Sequence, residues 1–173
     1  LFVRNITLPY APVEAFVMKA LQAAGFKTVV VGKRRYEFLR YVWLGGNQTG
    51  LVLSDFADSG DPLWVDEQIN RLRDTREWLA LEYRGVHVGR CVIATTLRQL
   101  KVGQLDFSDK DVQKTLRRNL ETSVSNTRAA SALIREVKPD CTLFLDRGYM
   151  GQAEVCDLAI GQGLSRRDTT RDL

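Results

Sequence analysis

The opening 31 residues constrain the fold more than any other stretch of the chain. Leu1 to Leu8 carries Phe2, Val3, Ile6 and Leu8 and predicts a strand, which Pro9-Tyr10-Ala11-Pro12 ends. From Pro12 to Ala24, the residues Val13, Phe16, Val17, Ala20, Leu21 and Ala24 recur at steps of three and one, the spacing of one apolar helix face. Pro12 suits the first helical position, and Glu14 complements the positive end of the helix. Gly25 is the expected stop. Phe26 to Val31 then forms a β-branched run between two glycines, which reads as a buried parallel strand. Strand, helix and strand within about 31 residues make a βαβ unit. The fold expected from it is α/β: a Rossmann-like three-layer domain with a mostly parallel sheet and a helix-rich middle insertion. In such sheets ligands bind at the carboxyl edge of the strands.

Further along, Arg35 to Leu44 predicts a short helix, Gly45 to Gly50 a turn, and Leu51-Val52-Leu53 a short strand. Asp55 to Pro62 reads as a polar loop. Asp66 to Leu81 reads as a single helix with Ile69, Leu72 and Leu79 as its stripe. Val86 to Leu100 fits a helix better than a strand and turn. Ser108 and Asp111 resemble a capping box opening a long helix, in which Val112, Leu116, Leu120 and Val124 recur every four residues. The small, polar run Thr122 to Ala132 allows close packing and could border a cleft. Lys138-Pro139-Asp140 ends the helix, Cys141 to Leu145 is a second buried strand, and Gln152 to Ile160 a last helix closed by Gly161 and Gly163. The domain is expected over residues 1–163. The polar residues 164–173 are expected to be a disordered tail or linker.

Composition narrows the class. With 173 residues and 45% hydrophobic content, the chain can bury the core of one domain. No apolar run reaches the ~18 residues of a membrane span, and Leu1 to Asn5 lacks the layout of a signal peptide. A start without methionine is expected of a processed chain or a piece of a longer one. The net charge of +4 is spread mostly through mixed-sign stretches. Lys33-Arg34-Arg35 and Arg117-Arg118 are less balanced and could meet phosphates. No RNA-binding signature with interleaved aromatics is present, so no specific nucleic acid is expected. Cys91, Cys141 and Cys156 are far apart and set among apolar residues, which reads as free thiols in a reducing compartment. No metal site is expected. Trp43, Trp64 and Trp78 read as core or core-edge residues rather than sugar platforms.

The segment Asp146 to Gly151 holds the densest set of chemistry-bearing residues. It leaves a buried strand and enters a helix, whose first amides can bind an anion; Gly148 and Gly151 permit close approach. Arg147 offers a planar fork for phosphate or carboxylate. Tyr149 could stack on a sugar or base, and Glu154 sits in the first turn of the helix. Pro9, Tyr10 and Glu14 form a second set at the end of the first strand. His87, the single histidine, could act as a base near neutral pH; a structural role is the commoner one for such a residue. Neither G-x-x-x-x-G-K-[ST] nor G-x-G-x-x-G is present in the expected places, which disfavours a P-loop enzyme or a dinucleotide dehydrogenase.

These features, in this order, resemble the N-terminal domain of GT-B-type glycosyltransferases that build bacterial surface polysaccharides. The resemblance rests on Arg4-Asn5-Ile6, Glu14 to Gly25, the helix end Leu133 to Val137 with its Lys138-Pro139-Asp140 turn, and Leu145 to Gly163 with Gly148-Tyr149 and Gly151-Gln152-Ala153-Glu154. It implies two domains facing a cleft. The first would hold a glycan or lipid-linked acceptor and often supplies the base; a C-terminal domain would hold a nucleotide-sugar donor. This chain would then be the acceptor side, with no cofactor of its own, cytoplasmic, and in contact with the inner face of the membrane. Asp146, Glu14 and His87 would be the candidate bases, and Pro9, Tyr10, Arg147, Gly148, Tyr149, Gly151 and Glu154 the substrate-binding candidates. A stand-alone nucleotide- or effector-binding domain on the same fold remains the alternative, as does a basic module docking on nucleic acid or an anionic membrane.

Overall fold

The structure is a computed structural model and describes residues 2–3, 11–32, 49–58, 60–144 and 148–167. The βαβ unit is formed by β1 (Phe2–Val3), α1 (Ala11–Ala23) and β2 (Val29–Gly32). β1 and β2 run parallel, with Phe2 opposite Val30 and Val3 opposite Val31. Gly25 ends α1 as expected: at φ +86° it lets Phe26 N–H reach the Leu21 carbonyl (2.9 Å) while its own N–H donates to Gln22 (3.0 Å). That pair of bonds is a Schellman cap, which favours glycine at the left-handed position.

The buried face of α1 differs from the one expected. Ala15 and Met18 face the sheet at 5% and 0% exposure, while Val13 and Phe16 stand outward at 55% and 73%. The helix is apolar on nearly every side, so two overlapping stripes satisfy the spacing equally. Met18 and the small Ala15, with Val17 and Leu21 partly buried, are the residues that meet Val30 and Leu143.

Three more strands complete the sheet: β3 (Thr49–Val52), β4 (Cys141–Phe144) and β5 (Ser165–Arg167). The order is β3-β2-β1-β4-β5 and every pairing is parallel. Residues 165–167, expected as part of a disordered tail or linker, instead add an edge strand to β4. An edge strand needs only one pairing neighbour and tolerates polar side chains, so its hydrophobic pattern is weak. The helix expected over Arg35–Leu44 and most of the turn after it lie outside the described residues.

Between β3 and β4 the chain is helical. A 3-10 turn, Leu53–Phe56, follows β3, with Leu53 in the turn rather than the strand. Then come α2 (Pro62–Arg71), α3 (Thr75–Leu79), α4 (Val88–Leu100) and α5 (Lys110–Val137); α6 (Ala153–Gly161) follows β4. The single helix expected over Asp66–Leu81 is two. Leu72 turns extended and buries its side chain, and Asp74 caps a new start by accepting from Glu77 N–H at 2.8 Å. Glu77 in return accepts from Arg73 N–H at 2.6 Å, a reciprocal arrangement like a capping box. The cap of α5 is likewise one residue from its expected place. Asp109 accepts from the Asp111 and Val112 amides at 2.7 and 3.2 Å, while Ser108 donates to Asp106.

Two packed regions result. Trp78, Leu81, Tyr83, Val86, Val88, Val92, Leu116 and Leu120 build a cluster from helices and the turns between them, outside the five-stranded sheet. Val31 and Leu53 pack with Ala129, Ala130, Leu133 and Ile134 of α5 and with Val155 and Ala159 of α6 against the sheet. α5 serves both, its first half in the helical cluster and its second half on the sheet. Neighbouring strand residues point to opposite faces: Val30 meets α1, and Val31 meets α5 and α6.

Candidate functional site

The two regions meet around a cavity of about 670 Å³, a size usual for small-ligand pockets. The sheet side contributes Leu53 and Ser54, just past the carboxyl end of β3, and Tyr149, Met150 and Gly151, shortly past that of β4. The helical side contributes Thr95, Arg98 and Gln99 of α4, and Arg118, Asn119, Thr122 and Asn126 of α5. Residues 118, 119, 122 and 126 fall at helical spacing on one side of α5. The cavity therefore opens at the carboxyl edge of the parallel strands, where α/β sheets bind their ligands.

Its walls are cross-linked by polar contacts. Asn119 is 2% exposed and donates to Thr96 (2.9 Å) and Gln99 (3.1 Å). The same Gln99 oxygen accepts from the Arg118 guanidinium at 3.1 Å. The Arg98 guanidinium lies over the Tyr149 ring, 4.7 Å from its centroid, a cation–π distance. Thr95 Oγ1 accepts from Met150 N–H at 3.3 Å and ties the loop after β4 to α4. Among the described residues, neither Arg98 nor Arg118 pairs with a carboxylate.

Behind the loop lies Glu154, with 0% of its surface exposed. One carboxylate oxygen accepts from Gly151 N–H at 2.6 Å. The other accepts from Ser123 Oγ (2.7 Å) and Asn126 Nδ2 (3.5 Å), with Cys91 Sγ 3.8 Å away. Burial raises its carboxyl above the ordinary value, opposed by the hydrogen bonds from Ser123, its own amide, Gly151 and Asn126. The Cys91 thiol is also pushed up, first by burial and then by the Glu154 charge. It stays a thiol, donating to Val88 O at 3.1 Å, and is no nucleophile at neutral pH.

Several expected site residues come together here and others do not. Tyr149 and Gly151 line the cavity. Gly151 takes φ +95°, which its lack of a side chain permits. Gly148 lies exposed at the start of the same loop. Glu154, expected to touch a ligand, instead caps its own helix and holds Gly151. The anion site expected at the start of this last helix is thus met by the domain's own carboxylate. His87 sits just before α4, outside the cavity lining, with Nδ1 2.9 Å from Glu82 Oε1 and its amide donating to Asp157 at 3.1 Å. Glu14 lies in the first turn of α1; its side chain, and Pro9, Tyr10, Asp146 and Arg147, lie outside the described residues, as do Lys33 to Arg35 and Trp43.

The pair Arg117-Arg118 divides. Arg117 turns away to Asp66 and Glu121, and Arg118 faces the cavity. Thr95, Arg98, Gln99 and Asn119 carried no signal of function in the sequence, because they read as one more solvated helix face. The run from Thr122 did carry one. Trp78 is core at 2% exposure, and Trp64 is half-buried against Tyr83. Cys91, Cys141 and Cys156 form no disulfide. Among the described residues, no helix is long and apolar enough to cross a membrane, and no three His, Cys, Asp or Glu side chains gather as a metal site.

The chain matches no protein-family model, no curated protein and no solved structure.

Proposed function

We propose that this domain is the acceptor-binding half of a glycosyltransferase, built on a Rossmann-like three-layer scaffold, which moves a sugar from a nucleotide-sugar to a glycan or lipid-linked acceptor. The observation that carries the reading is the polar cavity at the carboxyl edge of an all-parallel sheet ordered β3-β2-β1-β4-β5. α1 on one face, with α5 and α6 on the other, supports the three-layer scaffold. Amides and hydroxyls from Ser54, Asn119, Thr122 and Asn126 suit the hydroxyl groups of a glycan.

In the transfer, the acceptor hydroxyl oxygen bonds to the anomeric carbon of the donor sugar. The bond from that carbon to the diphosphate breaks, the proton passes to a base, and the nucleotide diphosphate leaves. Asp146 follows β4 by two residues in sequence and is the base candidate nearest the cavity loop. The donor nucleotide would be held by a second domain. Reading the encoding gene past Leu173 tests this first: a second α/β domain supports the reading, and a stop codon overturns the two-domain mechanism. Incubating the full gene product with labelled nucleotide-sugars and an oligosaccharide acceptor tests transfer directly.

One observation favours a second reading. Among the described residues lining the cavity there is no carboxylate and no imidazole. A domain that binds a nucleotide or effector without transfer would need neither. Saturable binding to a full-length protein that transfers no label would favour it.

A further inference from the structure

We infer that the cavity is a sugar-phosphate site in which Arg98 and Arg118 grip the phosphate and the amide and hydroxyl groups beside them take the sugar. The inference deepens the acceptor-binding reading and rests on it only for the ligand's place in a reaction; the binding chemistry stands on the cavity itself.

Two guanidiniums from different helices line one cavity, and neither is neutralised by a carboxylate among the described residues. An anion in the cavity would gain favourable Coulomb energy from both. Each is oriented rather than loose. The Arg98 guanidinium carbon sits over the Tyr149 ring, and its planar fork of N–H donors suits phosphate oxygens. Arg118 spends one N–H on Gln99 and keeps the rest. Gln99 is itself held by buried Asn119. Backbone amides do not compete for the anion role at the loop, because Gly151 N–H already serves Glu154. The remaining polar lining is uncharged: Ser54, Thr95, Thr122 and Asn126. Such groups pair with hydroxyls and carry no charge that would repel or over-bind them. A lining that combines guanidiniums with uncharged hydrogen-bonding groups is complementary to a phosphorylated sugar.

The test is titration calorimetry on the full-length protein with three probes: glucose 1-phosphate, inorganic pyrophosphate and unphosphorylated glucose. Glucose 1-phosphate is expected to bind at least ten times more tightly than glucose, and binding is expected to weaken as salt rises. Comparing it with pyrophosphate separates a sugar monophosphate site from a diphosphate site. Arg98→Ala and Arg118→Ala should each weaken phosphate-probe binding by about ten- to a hundred-fold, as loss of a charge-assisted pair does. Arg117→Ala, which removes the outward neighbour, should leave it unchanged, and matching circular dichroism across the variants controls for folding. Equal binding in wild type and both cavity variants, or no binding of any phosphate probe, overturns the inference. Transfer to a neutral acceptor without phosphate binding overturns it while leaving the acceptor reading intact. Phosphate-dependent binding with no transfer supports it and removes the transferase instead.

Discussion

The helical region and the sheet region solve the burial problem differently. The helical cluster fills its interior with large side chains, among them Trp78, Tyr83, Leu116 and Leu120, drawn mostly from residues 65–124, with Met150 and Ala153 joining from beyond β4. The sheet region pairs β1 with β4 across most of the sequence and covers one face with small residues, Ala129, Ala130 and Ala159, beside Leu133 and Ile134. Small residues let α5 and α6 approach the strands closely, whereas bulky ones hold helices apart. One helix meets both demands by changing composition halfway along. The cavity borders the stretch of α5 where the change occurs, with Arg118, Asn119, Thr122 and Asn126 in its lining.

The largest test of this contrast is Gly89→Ala. A Cβ there would stand 1.7 Å from the Trp78 carbonyl oxygen and 2.9 Å from Leu81 Cβ. We expect a loss of at least about 4 kcal/mol, the range of severe core disruption, visible in urea unfolding. A loss below 1 kcal/mol would mean that α4 does not pack so closely on the turn before it. Leu120→Ala, at a fully buried position, should cost about 3 kcal/mol. Because α5 runs through both clusters, hydrogen exchange should show protection falling in the sheet as well as in the helices; a fall confined to the helices would make the regions independent folding units.

Ala130→Leu probes the opposite requirement. The site is 0% exposed and faces the sheet cluster, so added volume should cost about 2 kcal/mol by overpacking. A neutral result would show slack where close packing is expected. The most gradual effect concerns Glu154, which ties Ser123 of α5 to the loop at the cavity. Its raised value in the folded state means that the folded protein holds this proton more tightly than the unfolded chain does. That stabilisation is complete below the ordinary glutamate range, about 4.3, and is lost as pH rises through the raised folded value. Relative to Glu154→Gln, the wild-type protein should therefore lose stability with rising pH, by at most about 1.4 kcal/mol per pH unit for one proton. Unfolding curves for both from pH 4 to 8 check this, and a constant difference would mean that Glu154 titrates alike in both states.

Much of the fold could be read from residue order. The βαβ start, the Gly25 stop, the long α5 and the β4 strand all arise from local patterns, in which neighbours in sequence are neighbours in space. β5 was not legible, since Ser165-Arg166-Arg167 has no apolar alternation and is a strand only because β4 offers an open edge. The break between α2 and α3 was present in the sequence as Asp74 and Glu77, but the apolar stripe across it masked the cap. Of the site, the loop residues Tyr149 and Gly151 were legible from their place after a strand. Arg98 was not, and Arg118 stood out only together with Arg117, because nothing local distinguishes a guanidinium facing a cavity from one in solvent, as the opposite fate of Arg117 shows.

The sequence alone determined the class of fold, an α/β chain opening with a βαβ unit and closing on a strand and helix, because helix and strand periods and glycine stops are properties of adjacent residues. Tertiary structure decided which face of α1 is buried, which of two adjacent arginines turns inward, and that Glu154 serves its own helix start rather than a ligand. Those outcomes depend on what another element, distant in the chain, presents at the point of contact.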